Sequence, residues 1–266
     1  MSDPKNEAKR LWNRNPCGGG IAGVDYASVD FFRKVEHQRY EVSDTWIPKT
    51  IDFHLAKGKK LLEIGFGIGT DLLEFCKAGA EVYGIDITEE HLRLAARNFE
   101  LHGKNATLRL CDCAAIDFPD NFFDVVYSLG VLHHTPDTVR CISEAHRVLK
   151  PGGQLIIGLY YTYSAYHLIN MVLYQGLMCG RIWKLGYRGL MSTVESGADG
   201  IDCRPLVKTY GKRKLKYILE DFKKVDFKIA HFKRDHIPFF GRLVPIRSEE
   251  AIGSVLGWYL IGFATK

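Results

Sequence analysis

The chain has 266 residues, enough to bury a full core, with 46% hydrophobic and 25% charged residues, the balance of an ordinary globular protein. A formal charge of +5 is mild, compatible with an anionic substrate or surface and too small to demand nucleic acid. Seven scattered cysteines without a C-x-x-C pair exclude a disulfide framework and a zinc site; no metal cluster stands out, and reduced thiols in a cytoplasmic protein are expected.

Residues 1–57 precede the first strand of the sheet. Positions 1–10 are polar and charged, without the apolar core of a signal peptide, and 12–20 reads as an aromatic followed by a flexible turn. From Tyr26 to Tyr40 the apolar points Val29, Phe31, Phe32 and Val35 recur at helical spacing, with Ile47 and Ile51 beyond. This is read as a helical lid, residues 1–57, over a body spanning 58–266. Lys60 to Ile64 is an apolar run, a buried parallel strand ended by Gly65, Gly67 and Gly69. Glycines at alternate positions let backbone approach a ligand where a Cβ would collide. Thr70 and Asp71 are expected to cap a helix starting at Leu72.

The second strand, 82–85, leads to Asp86, where an acid in a doubly wound sheet faces a ribose hydroxyl pair. A helix follows from Thr88, with Leu92, Ala95, Ala96 and Phe99 on one face and Gly103 at its end. The third strand is 106–111, then Asp112; the fourth is 123–127, leaving through Ser128, Leu129, His133 and His134. Thr135 is expected to cap the next helix, with Pro136 at its first position. Positions 150–153 turn the chain into the fifth strand, 154–159. Strand and helix alternate, so the fold class is α/β, a parallel sheet with helices on both faces.

A cap insertion over about 161–210 interrupts this order. It is aromatic and apolar, and no acid occurs from Ala145 to Val194. Polar residues such as Thr162, His167 and Gln175 break the run, so no transmembrane span is expected. The insertion reads as a cap forming an aromatic acceptor pocket; the alternative is an interfacial or dimer-forming helix with Arg181, Lys184 and Arg188 facing phosphate or a partner. A loop over 200–211 offers Arg204, Lys208 and Tyr210 near the entrance. A helix from Lys212, a lysine-protected edge strand at 225–229 and a closing strand at 258–264 complete the chain.

The glycine loop reads E-x-G-x-G-x-G rather than the dinucleotide fingerprint G-x-G-x-x-G, and the acid Glu63 suits a cationic ligand better than a diphosphate. Followed in order by Asp86, Asp112, Phe123-Asp124-Val125-Val126, His133-His134 and Leu149-Lys150-Pro151-Gly152-Gly153, these residues resemble the class I (Rossmann-like) S-adenosylmethionine-dependent methyltransferases of the small-molecule type. The block series looks like the quinone and sterol methyltransferases. The resemblance implies a doubly wound, seven-stranded, mainly parallel sheet whose last strand inserts antiparallel beside the sixth. It implies S-adenosyl-L-methionine as methyl donor and S-adenosyl-L-homocysteine as product. Glu63, Gly65, Gly67 and Gly69, with Thr70 and Asp71, would hold the methionine part; Asp86 and Ile87 the ribose; Asp112 and Cys113 the adenine. Backbone at Ser128 and Leu129 would complete the donor end, with Tyr26, Arg39 and Tyr40 facing it from the lid. His133 and His134 are the candidate proton acceptors, His133 ahead for its earlier place in the loop and also counted as cofactor-facing.

The expected acceptor is an aromatic or lipophilic small molecule. A tRNA or rRNA acceptor lacks support, because Tyr127-Ser128-Leu129-Gly130 does not match the N-P-P-Y type of the adenine N-methyltransferases. A nicotinamide oxidoreductase would need the other glycine pattern, whereas a non-catalytic nucleoside-binding protein would keep this one. Weak contact with a membrane surface and a monomer or homodimer are the remaining expectations.

Overall fold

A computed structural model describes residues 3–20, 23–196 and 204–266. Strand β1 (Lys60–Ile64) pairs in parallel with β2 (Glu81–Asp86) on one side and β4 (Phe123–Leu129) on the other. β3 (Thr107–Leu110) lies outside β2, and β5 (Leu149–Tyr160) outside β4, both also parallel. β7 (Tyr259–Thr265) enters antiparallel between β5 and β6 (Lys224–Ala230), giving the order β3-β2-β1-β4-β5-β7-β6. The sheet is thus the one expected, closing strand included. Winding reverses between β1 and β4, so a crevice opens at the carboxyl ends of these strands.

Alternate residues of the central strands point to opposite faces, and both faces are covered. Leu62, Val126 and Leu155 enter one core, whereas Leu61, Val125, Tyr127 and Ile156 enter the other. Helices α4 (Thr70–Lys77), α5 (Glu89–Leu101) and α6 (Thr138–Val148) return the chain between parallel strands.

Two helix starts differ from expectation. Helix α4 begins at Thr70 itself, with left-handed Gly69 (φ 79°) as its cap, and Asp71 turns inward instead of capping. Helix α6 begins at Thr138, because the Asp137 carboxylate accepts the Arg140 N–H at 2.9 Å. Thr135 instead donates its hydroxyl proton to Leu132 O at 2.8 Å.

The amino-terminal segment holds α1 (Pro4–Arg14) and α2 (Val29–His37), followed by a helical turn at 38–43 and α3 (Ile47–Thr50). Helix α1 replaces the irregular stretch expected around Trp12. Asp3 caps it by accepting the Lys5 N–H, Pro4 fits its first turn, and among its charged residues only Ala8 and Leu11 are buried, too few to signal a helix by periodicity. After β5 come a helix at Tyr166–Met178 and α7 (Arg181–Ser196), broken at Gly186 (φ 67°). The loop expected over 200–211 begins in residues outside those described; beyond them, Tyr210 bridges to Tyr161. Helices α8 (Lys212–Ile218) and α9 (Glu249–Leu256) flank β6. Among the described residues no helix is long and apolar enough to cross a membrane.

Candidate active site

The crevice holds a cavity of about 310 Å³ that runs from the ends of β1, β2 and β3 to the cap. A second, of about 270 Å³, shares Gly65, Gly67 and Leu129 with it and reaches Glu63 and Asp71. Gly65 (φ 76°) lies where any Cβ would collide with the Val131 methyls, so only glycine keeps this passage narrow and free of strain.

Three acids stand at successive strand ends, each in a different electrical setting. Glu63 is buried, its Oε2 lacks a hydrogen-bond partner, and burial beside Asp71 pushes its carboxyl well above the usual range. A positively charged group in the adjoining cavity would compensate that carboxylate, which fits an ammonium-bearing ligand. Asp71 is stabilised from within the protein. It accepts Arg39 Nε and Nη2 and the Tyr40 hydroxyl, each at 2.6 Å, and the Tyr127 hydroxyl at 2.8 Å. Burial works against its charge, but the guanidinium and these donors hold the carboxyl below its ordinary value. Arg39 and Tyr40 belong to the 38–43 turn, so this network ties the amino-terminal segment to the sheet.

Asp86, at the end of β2, is oriented by three donors. Oδ2 accepts the Gly67 N–H at 3.2 Å and lies 3.1 Å from His91 Nδ1, while Oδ1 accepts the Thr88 N–H at 2.9 Å. Oδ1 keeps an accepting direction for a ligand hydroxyl. The Cys17 backbone N–H donates to His91 Nε2 at 3.4 Å and helps to hold the imidazole against Asp86. Asp112 lies in the loop after β3; its Oδ1 accepts the Ala114 N–H at 3.0 Å and its Oδ2 pairs with Lys5 of α1. Cys113, beside it, faces Cys141 across 3.1 Å between sulfurs, both as free thiols.

At the cap end the cavity is bounded by Trp12, His134, Tyr160, Glu195 and Tyr259. His134 Nδ1 donates to Leu206 O at 2.8 Å, and its Nε2 lies 3.6 Å from Glu195 Oε1. The Tyr160 hydroxyl donates to the same Oε1 at 2.5 Å. His133 is placed differently. It is fully buried against the Tyr160 ring, its two nitrogens have no partner, and burial holds it neutral, well below the usual range. The order of preference between the two histidines is therefore reversed: His134 reaches the cavity and His133 packs behind it. The ligating atoms of His133, His134 and Glu195 lie within 4.8 Å of one another, a grouping that chain spacing does not reveal. Glu195 Oε1 already accepts from the Tyr160 hydroxyl, and the Leu206 carbonyl engages His134 Nδ1, so Nε2 is the His134 nitrogen turned toward Glu195.

Of the other expected residues, Ile87, Cys113 and Leu129 line the larger cavity and Thr70 the smaller. Tyr40 acts through Asp71. Ser128 is buried with its hydroxyl donated to Ile64 O, and Gly69 shapes the start of α4. Tyr26 stands away from both cavities, exposed and bonded to Glu90, because the chain between it and Arg39 forms α2. Lys208 and Tyr210 bond Thr138 rather than facing the entrance, and the Arg204 N–H bonds Glu7. Sequence reading missed Lys5, Trp12, His91, Tyr160, Glu195 and Tyr259. Glu195 carried a signal, as the acid that ends the acid-free stretch from Ala145 to Val194.

Residues 62–157 match the family described as "Methyltransferase domain". The chain is similar to a sterol 24-C-methyltransferase of Gibberella zeae, 39% identical over 106 residues (39% of this chain, 27% of that protein). It is also similar to a demethylmenaquinone methyltransferase of Thermus thermophilus, 34% identical over 116 residues (42% of this chain, 52% of that protein). The chain thus spans between about a quarter and a half of these curated relatives. In fold it resembles a S-adenosylmethionine-dependent methyltransferase structure from Thermotoga maritima, described as a possible histamine N-methyltransferase (TM-score 0.57, 15% identity, 97% of this chain and 99% of that one).

Proposed function

We propose that this chain, built on a class I methyltransferase domain, transfers the methyl group of S-adenosylmethionine to a small, lipophilic acceptor. The observation that carries the reading is the row of Glu63, Asp86 and Asp112 at the ends of β1, β2 and the loop after β3, around one glycine turn. Glu63 and the glycine turn would hold the methionine part, Asp86 the ribose hydroxyls and Asp112 the adenine amino group, with Lys5 sharing Asp112 from the lid.

S-adenosylmethionine supplies a methyl group already activated on a sulfonium, so the protein's work is alignment, exclusion of water and removal of a proton. Helix α1 covers the cavity through Lys5, Ala8 and Trp12 and would act as the lid. His134 Nε2 would accept a proton from the acceptor, and Glu195 would stabilise the resulting imidazolium. The aromatic walls Trp12, Tyr160 and Tyr259 suit a lipophilic acceptor better than a nucleic-acid strand.

The test is calorimetric binding of S-adenosylhomocysteine to the purified chain, to an Asp86→Ala variant, and of NADH as control. Saturable binding, weakened about a hundredfold in the variant, is expected from loss of a charged hydrogen-bond acceptor. Binding of NADH in its place, or of neither ligand, overturns the reading.

A further inference from the structure

The cap and the segment between β6 and β7 that packs on it together have two unlike faces. Inside, Tyr160, Met171, Leu190, Met191, Val207 and Trp258 pack into a small core beside the cavity. Outside, large apolar side chains stand in solvent: Trp183 is 81% exposed, Leu243 79%, Phe239 72% and Phe240 68%. Leu177, Met178 and Ile246 are exposed as well. Single exposed hydrophobics are ordinary, but an accumulation on adjoining segments marks an interaction surface. The segments do adjoin. Phe239 packs edge-on against Tyr174 of the Tyr166–Met178 helix at 5.2 Å between ring centroids, and Asn170 Nδ2 donates to Asp235 O at 3.2 Å.

We propose that this outer face docks on an anionic phospholipid membrane and so presents the cavity to a membrane-borne, amphiphilic acceptor; the identity of the acceptor rests on the methyltransferase reading, whereas the docking does not. Charge decides between occupants. From Tyr160 to Val194 the sequence has no Asp or Glu and carries Arg181, Lys184 and Arg188. From His236 to Ser248 it again has no acid and carries Arg242 and Arg247, both exposed. Three acids stand at the margin of the patch: Asp235, Glu249, which is paired with Arg234, and Glu250, which is paired with Lys49.

A second copy of the chain would meet this face with the same face, because a two-fold interface is self-complementary, and cations would oppose cations without acids to pair them. A bilayer surface offers both missing complements at once, lipid phosphates for the cations and the acyl boundary for the aromatics. The segments are too short and interrupted to span a membrane, so contact is interfacial.

The experiment is co-sedimentation of the full chain with vesicles of phosphatidylglycerol mixed with phosphatidylcholine, and with phosphatidylcholine alone. Binding to the mixed vesicles is expected, weakened by high salt, and at least about tenfold weaker without the anionic lipid. The triple variant Phe239→Ser, Phe240→Ser, Leu243→Ser should lose binding, and Arg242→Glu with Arg247→Glu should reduce it about tenfold. All substituted side chains are exposed, and circular dichroism and S-adenosylhomocysteine affinity verify that each variant is folded. Absence of vesicle binding in the folded wild type overturns the proposal, as does binding indifferent to lipid charge. A wild-type dimer that the triple variant converts to monomer also overturns it, in favour of a second copy. S-adenosylhomocysteine binding without vesicle binding sinks the docking alone; vesicle binding without S-adenosylhomocysteine binding sinks the methyltransferase reading alone.

Discussion

The two ends of the cavity are built in different ways. At the sheet end, Glu63, Asp86 and Asp112 stand at or just beyond the ends of consecutive strands of one parallel sheet, so strand order sets their spacing. At the cap end, Trp12, His134, Tyr160, Glu195 and Tyr259 come from five separate places in the chain. The difference teaches that a regular sheet can carry a ligand site in local sequence, whereas a cap makes its site by bringing remote segments together. Their electrostatics differ too: fixed internal donors surround Asp71 and Asp86, while Glu195 and His134 line the cavity 3.6 Å from each other.

The largest expected effect breaks the sheet end. Arg39→Ala leaves the Asp71 carboxylate buried without its cation, and we expect a loss of about 3–5 kcal/mol in urea unfolding. A loss below about 1 kcal/mol would show that the pair does not hold the lid to the sheet.

His134→Gln tests the other end. Its kcat should fall about a hundredfold or more with an acceptor that must lose a proton, while S-adenosylhomocysteine affinity stays unchanged. The same substitution at His133 should act through packing, lowering thermal stability before it alters the pH profile. Equal kinetic effects at the two positions would refute the distinction drawn between them.

A third prediction concerns the joint beneath the cap. His236 is buried, accepts the Lys233 N–H at 3.3 Å, and is pushed down to about 3 by burial, with His231 beside it. The unfolded chain protonates this group near 6.5, so between that pH and about 3 the unfolded state binds the extra proton. Stability should therefore decline as pH falls from 6.5, by up to about 1.4 kcal/mol per unit from this group. His236→Asn should flatten the decline in denaturation measured from pH 7 to 4; an unchanged slope would assign the effect elsewhere.

The smallest effect is expected where α1 meets Asp112. Lys5 and Asp112 are both partly exposed, so Lys5→Met should change unfolding stability by less than about 1 kcal/mol. A larger loss would make α1 a structural part of the domain and weaken its role as a lid.

The sheet end was legible because each signal was local: an apolar strand, glycines in its turn, an acid at the next strand end. Helix starts were less so. Thr70 and Thr135 have the chemistry of caps, yet Gly69 and Asp137 hold those positions, because the cap residue is chosen by backbone direction as well as side-chain chemistry. His133 and His134 were visible as a pair, but which of them reaches the cavity depends on Tyr160, which covers the first, and on Leu206 O, which orients the second. Helix α1 was hidden by its charged residues, which serve contacts with α5 and Asp112 rather than a repeating apolar face.

By itself the sequence determined the alternation of strands and helices and the three acids around the glycine turn, since strand and turn chemistry act over a few neighbouring residues, whereas the seven-stranded order was implied by the family resemblance. Only the tertiary structure decided that Arg39 and Tyr40 serve Asp71, that Lys5 reaches Asp112, and that Glu195 stands opposite His134. Those pairings join residues far apart in the chain, and what fixes them is the burial of one segment against another.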